Sequence, residues 1–363
     1  MINKENLAET KKMFEKWWRC ENTERPLMNI KARCKPSSPP VSCSRAKTPE
    51  QIYTDIGTIL PNFLNYAFSH MFKCEAVPNL SINIGPGSLA AYVGSEPVFA
   101  WDTVWYKKCI EDVSVYPPIE YDPENYWWKK HFALIREAKK LSKDEFYVCI
   151  PDIIENADII SAMNGPQETC FDLMDNPKHI KRLIGNVDDI YFEYFDRFYD
   201  EVKIGESMMY TAFEILGEGK TAKIQCDFAA MIGPEQFRDF IVPSLTKQCE
   251  KLDHTVFHLD GKDCVKHLDA LMKIDRLEAL QWTSGAGQPD GGNEKWYPVY
   301  DKVKDAGKAM HVGIWDGKFE DWVKTADKFI KRYGCAGVYF LFPEMSEEEA
   351  KILINKAENE WSL

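Results

Sequence analysis

Eight short apolar, β-rich runs punctuate this sequence, at residues 80–85, 146–151, 208–213, 223–228, 255–260, 277–282, 309–314 and 337–342, and most are separated by segments with helical periodicity. Strands that alternate with helices belong in a parallel sheet, because each return to the same edge needs a crossover of about a dozen residues. Eight strands are what a closed (β/α)8 barrel requires. The expected fold class is therefore α/β, a TIM barrel with a helical and irregular N-terminal extension: residues 1–79 form the extension packed on the barrel, and residues 80–363 form the barrel.

The second half repeats regularly. Gly233-Pro234-Glu235 opens a helix that runs to about Leu252, further helices are predicted over 262–273, 294–306 and 318–333, and Ser346 with Glu349 forms a capping box for a last helix to residue 359. The first half is less orderly, with an amphipathic helix in the first 18 residues, an irregular proline-containing stretch at 34–49 and a second helical run at 61–72. Only residues 214–222 separate the third and fourth runs, so a hairpin or a short irregular crossover is expected there.

The formal charge of −12 repels phosphate backbones and anionic headgroups, and no Lys/Arg run with interleaved aromatics makes a local exception, so nucleic acid is not an expected partner. No segment has the length and apolarity of a bilayer span, and no basic-then-apolar leader pattern opens the chain; a cytoplasmic location without membrane partners is expected. The 11 cysteines are scattered without a CxxC pair and read as reduced thiols, most of them small buried side chains. Neither GxxxxGK[ST] nor GxGxxG follows a strand, so no nucleotide cofactor is indicated. Trp127-Trp128 and the aromatic residues at 191–199 can cover a homodimer face or the helix layer.

In a barrel of this kind the reactive side chains come from the C-terminal ends of several strands. The run Thr255-Val256-Phe257-His258-Leu259-Asp260-Gly261 alternates, placing Val256, His258 and Asp260 on one face and Phe257 and Leu259 on the other, toward the helices. An imidazole and a carboxylate then point together into the mouth, with a glycine permitting a tight turn directly after. Such a pair holds a metal, orients an anionic substrate or moves a proton, unless it is only a buried histidine satisfied by its neighbour. Asp227, at the end of the preceding strand, can bind substrate, orient His258 or cap a turn. Gln281 and Trp282 end the sixth strand, where Trp282 offers a stacking wall; His311 and Asn83 can line the same mouth. Glu155, Asn156 and Asp158 follow the second strand as pocket groups or as a helix cap. The remaining histidines, His70, His131, His179, His254 and His267, read as structural or solvated.

Cys226-Asp227-Phe228, Ile232-Gly233-Pro234-Glu235-Gln236-Phe237, Phe240-Ile241-Val242-Pro243 and His258-Leu259-Asp260-Gly261 resemble the uroporphyrinogen decarboxylase superfamily, which holds both the haem-pathway decarboxylase and cobalamin-dependent methyltransferases. The likeness extends from about Phe146 to the C-terminus. An Arg-Gln-Ala-Gly-Arg motif that binds substrate carboxylates in the decarboxylases is absent around Arg25 to Lys35, and Asn83 stands near the position of their first-strand Asp. For the methyltransferase branch the resemblance implies zinc: His258 matches the first ligand, Asp260 replaces a Cys, and Glu344 is the candidate third ligand. It also implies a corrinoid carried on a partner protein. Three functions follow as expectations: methyl transfer from a small methylated compound with a corrinoid protein, decarboxylation of a tetrapyrrole or other carboxylated substrate, and non-catalytic binding of a small molecule or tetrapyrrole.

Overall fold

The computed structural model describes residues 1–210 and 212–361 of the chain. Thr211, inside the predicted 208–213 run, lies outside the described residues. Along the chain the strands are β1 (Leu27–Arg33), β2 (His70–Cys74), β3 (Asn79–Leu80), β4 (Pro97–Phe99), β5 (Val104–Tyr106), β6 (Tyr147–Val148) and β7 (Ser207–Tyr210). They continue with β8 (Ile215–Glu218), β9 (Thr221–Gln225), β10 (His254–Asp260), β11 (Ala279–Thr283), β12 (Ala309–Gly313), β13 (Val338–Leu341) and β14 (Met345–Ser346).

The central sheet has eight strands, in the order β14, β1, β13, β12, β11, β10, β9, with β2 attached to β1. Every pairing in it is parallel except that of β2 with β1. β3 and β6 form a separate parallel pair, and a parallel bridge between Ile150 and Tyr210 connects that segment to β7. The arrangement is an α/β fold consistent with a TIM-barrel-like architecture, although among the described residues the hydrogen-bonded ladder does not run round into a closed ring.

Each of the eight predicted runs overlaps a strand, and the regular helices of the second half form, including Glu347–Asn359, where Ser346 and Glu349 make the reciprocal capping box. The short step after the third run is a hairpin: β7 and β8 pair antiparallel before β9 begins. Two expectations need correction. The stretch 1–79 is not wholly a layer outside the sheet, because β1 is one of its strands, between β13 and β14. Its inward-facing Asn29, Lys31 and Arg33 hide the strand, since a run that alternates apolar with polar does not look like the continuous apolar run of a buried parallel strand. Likewise the helical run expected to residue 72 stops earlier, as helix Ile56–Phe68, and His70–Cys74 turns into β2.

Side-chain alternation splits the interior into two cores. On one face Ile224, Phe257, Leu280, Met310 and Phe340 pack against the helices. On the other, Leu27, Val256, Ala279, Ala309 and Tyr339 meet Met13, Phe14, Trp17 and Trp18 of the N-terminal helix Leu7–Trp18. Both indole N–H groups are satisfied there, Trp17 Nε1 donating to the Gly337 carbonyl at 3.0 Å and Trp18 Nε1 to that of Leu216 at 3.1 Å. Each large side chain so buried contributes about 1.5–3 kcal/mol. Because Leu27, Ala279 and Ala309 begin their strands, this helix stoppers the N-terminal ends and leaves the opposite ends to polar side chains.

Candidate active site

The inward row above that stopper is polar. Gln225 on β9 stands beside His258 on β10, His258 beside Gln281 on β11, Gln281 beside His311 on β12, and His311 beside Tyr339 on β13. One step nearer the C-terminal ends, Asp260 stands beside Thr283. The period of two in a strand carries His258 and Asp260 onto the same face, and Gly261, at a φ of 78°, makes the turn that follows. Asp227 opens the 3-10 helix Asp227–Met231, two residues after β9 ends. A ring nitrogen of His258 and one carboxylate oxygen each from Asp227 and Asp260 lie within 4.8 Å of one another. The three residues named as catalytic thus converge.

The His258 ring is held from two sides. Its Nδ1 lies 2.5 Å from the Gln281 Oε1. The Gln281 amide nitrogen is committed elsewhere, donating to the Trp282 carbonyl at 2.9 Å and to Thr283 Oγ1 at 3.0 Å, so its oxygen faces the imidazole and Nδ1 carries the proton. Nε2 is left with its lone pair. Burial, reinforced by the nearby Lys223 ammonium, pushes the imidazole down to about 4, which keeps it neutral near pH 7. The ring of Phe213 lies against it with centroids 4.8 Å apart.

Asp227 has solvent on one side and carboxylates on the other. Burial, then the negative charges of Asp158 and Asp260, raise its carboxyl to about 7. Gln225 Nε2 donates to its Oδ2 at 2.8 Å. Beneath it, Lys223 is 2% exposed, so its ammonium must be paired; it meets Asp152 Oδ1 at 2.7 Å and also contacts Gln225 Oε1. Glu155 is fully enclosed, accepts the Gln225 backbone N–H at 2.7 Å, and is driven well above the usual carboxylate range by burial.

Phe213 and Glu214 occupy the β7–β8 turn with φ of 62° and 53°, a left-handed conformation that costs a residue with a Cβ about 1–2 kcal/mol. Three strands hold the turn: His311 Nε2 donates to the Phe213 carbonyl at 3.0 Å, Tyr339 Oη to the Glu214 carbonyl at 3.1 Å, and Asn29 Nδ2 to Glu214 Oε2 at 2.9 Å. Lys31 completes the Glu214 contacts. The short step after the third run pointed to a hairpin, but nothing marked Phe213 and Glu214 as its left-handed residues, because neither favours positive φ.

The fold is similar to that of a methyltransferase from Methanosarcina mazei. The TM-score is 0.62 at 10% sequence identity, over 98% of this chain and 99% of that one. No protein-family model and no curated protein matches the sequence. At that identity the likeness speaks for the fold, whose coarse form it shares from end to end.

The other expected site residues divide. Gln281 touches His258, and His311 stands one strand further on, fully buried. Glu155 reaches the site through Gln225, and its side chain caps no helix. Asp158, named with it, is the more telling group: it accepts from Gln225 Nε2 at 3.3 Å and from two backbone N–H groups beside Asp227. Trp282 does not wall the mouth; it alternates outward into the helix-facing core and packs on Trp296, with centroids 5.0 Å apart. Glu344 is not part of the three-residue cluster, being engaged by Arg33 at 3.1 Å and His70 at 3.3 Å. Asn83 keeps a buried Oδ1 without a hydrogen-bond partner. Of the histidines set aside, His131 bonds Tyr92 and Ile82, His254 bonds Glu278, and His267 bonds Ala229. Lys223 and Asp152 escaped the sequence reading altogether, although Lys223 sits two residues before Gln225 on the inward face of β9.

Proposed function

We propose that this chain is a TIM-barrel enzyme of the uroporphyrinogen decarboxylase superfamily, methyltransferase-like, that acts on a small methylated compound with a corrinoid carried by a partner protein. The observation that carries the proposal is the convergence of His258, Asp260 and Asp227 at the C-terminal ends of parallel strands. The near end-to-end likeness to a methyltransferase fold supports it. Location in the cytoplasm and pairing as a homodimer belong to the same proposal; among the described residues no helix is long and apolar enough to cross a membrane.

The donor set fits a divalent cation such as zinc. It offers one imidazole nitrogen and two carboxylate oxygens, the three protein ligands of a catalytic site with a position left open. The Gln281 contact to Nδ1 is the kind of outer hydrogen bond that fixes a ligating histidine. A cation bound there supplies Lewis acidity to an acceptor group. The chain's own residues do the rest: Gln281 and Phe213 aim His258, Gln225 orients Asp227, and the Lys223–Asp152 pair keeps the buried acids beneath them in place. Two oxygens in place of cysteine sulfurs suit an oxygen or nitrogen acceptor better than a thiolate.

Decarboxylation is the second reading, favoured by Asp227, whose carboxyl near 7 can carry a proton at neutral pH to a carbon that has lost carbon dioxide. Against a substrate with many carboxylates stands the occupation of the N-terminal arginines, Arg25 by Glu75 and Arg33 by Glu344. Binding without catalysis is the third. The deciding experiment is the metal content of protein purified without chelator, in wild type and in His258→Ala, Asp260→Ala and Asp227→Ala, followed by incubation with methyl donors and a free corrinoid. Near-stoichiometric metal lost in all three variants, with methylation of the corrinoid, is the expected result; a metal-free wild type that releases carbon dioxide from a carboxylated substrate sinks the first reading.

A further inference from the structure

Asp227 faces two ways. Besides joining His258 and Asp260, it lines a cleft of about 630 Å³, a volume in the range of small-molecule sites. One wall is the β4–β5 hairpin, which brings Trp105 and Tyr106; the other is the 3-10 helix Asp227–Met231, which brings Phe228 and Met231. The hairpin is docked rather than loose. Tyr106 Oη donates to the Ile84 carbonyl at 3.1 Å, and Gly85 packs so closely on Val104 that a Cβ there would sit 2.6 Å from the valine Cβ.

Two features of this cleft are costly without an occupant. Trp105 and Met231, both in the lining, are 66% and 54% exposed, which leaves large apolar surfaces in water. The charge is also one-sided: Asp227 lies in the lining, Asp158 beside it is engaged by Gln225 and by the Asp227 and Phe228 backbone N–H groups, and among the described lining residues the only cation, Lys108, is paired at 3.2 Å with Glu168. An anion finds no unpaired cation in such a cleft, and a bare metal ion gains nothing from aromatic walls. A cation that carries apolar substituents satisfies both, since aromatic faces attract positive charge while burying methyl groups.

We propose that the cleft binds a small organic cation of the alkylammonium class, its methyl groups against Trp105, Tyr106 and Phe228 and its charge toward Asp227. The inference rests on the methyl-transfer reading of the neighbouring cluster and supplies its substrate class. Asp227 is the residue common to both, so a methyl group in the cleft lies beside the cluster.

The test is calorimetric titration with tetramethylammonium and with two compounds of similar shape, neutral tert-butanol and anionic pivalate. It uses full-length protein in two preparations, one stripped of metal by chelator and one reloaded with zinc. The expected result is saturable one-to-one binding of tetramethylammonium, weakened about threefold to tenfold in Trp105→Ala and in Asp227→Asn, with no heat from pivalate. Trp105 is exposed, so its truncation leaves the fold intact. Equal binding of tert-butanol or pivalate, absence of tetramethylammonium binding, or an unchanged affinity in Trp105→Ala overturns the proposal. Binding by the stripped protein stands even when the cluster takes up no metal, whereas metal uptake without tetramethylammonium binding removes the organic cation and leaves the methyl-transfer reading in place.

Discussion

The carboxylate of Asp158, on the helix Asn156–Asn164, accepts the backbone N–H of Asp227 at 2.9 Å and that of Phe228 at 2.8 Å. A side chain from the first turn of one helix thereby satisfies the first donors of a 3-10 helix, and it fixes the strand end from which Asp227 reaches the cluster.

Removal of that acceptor has two consequences. Asp158→Ala leaves two backbone donors unpaired and is expected to lower stability by about 2 kcal/mol, measured by urea unfolding, with Asp158→Asn milder because one oxygen remains. In both variants the Asp227 carboxyl, raised by burial and then by the Asp158 charge, shifts downward from about 7. Carbon-detected NMR titration of metal-free protein reads that shift; an unmoved Asp227 contradicts the clamp.

Gln281 acts through His258. Gln281→Leu removes the acceptor for Nδ1–H, and zinc affinity is expected to fall by about 10-fold to 100-fold in competition with a chromophoric chelator. Gln281→Glu keeps an acceptor and restores most of it. Glu344→Ala, which breaks contacts to Arg33, His70 and Tyr66, leaves the affinity unchanged.

The buried pair Lys223–Asp152 is expected to be strongly coupled. Lys223→Met strands the Asp152 carboxylate and costs about 3–5 kcal/mol. Adding Asp152→Leu removes the stranded charge, so the double variant is more stable than the sum of the single effects, as denaturant melts of the four proteins in the cycle will reveal.

Asp188, on the long helix Pro177–Val202, supplies a pH test away from the site. Burial raises its carboxyl to about 6, against the opposing hydrogen bond from Ser244 Oγ at 2.5 Å. A folded value above the unfolded one of about 3.9 means that the neutral acid stabilises the fold at low pH and that this contribution is lost as pH rises through about 6. Asp188→Asn carries no such charge. It is expected to gain about 2–3 kcal/mol over wild type at pH 8 and to be near neutral at pH 4; thermal melts at the two pH values that move in parallel would contradict this.

The strands were readable wherever their residues obeyed one face. In β10, Phe257 and Leu259 go to the helices and His258 and Asp260 to the mouth, as the alternation required. The same rule, applied to β11, puts Trp282 outward; the aromatic ring at a strand end suggested a wall, but position outweighs chemistry. β1 was lost because beyond Leu27 its inward side chains are Asn29, Lys31 and Arg33, polar groups that belong to the mouth and disguise a strand of the main sheet. Lys223 was lost for a related reason: a lysine in a strand reads as solvated unless its partner, Asp152, some seventy residues away in sequence, is known to lie 2.7 Å from it. Periodicity is local, whereas a buried charge is explained only by what the fold brings to it.

The N-terminal helix imposes an order of events on the chain. Trp17 donates to the carbonyl of Gly337, 320 residues further on, and it shares its cluster with Tyr339 of β13. Contacts that distant form slowly, since a long loop must close before they gain anything. The amphipathic face of Leu7–Trp18 therefore completes its cover only when β13 is in place, long after Leu216 and the other residues of the cluster that precede it.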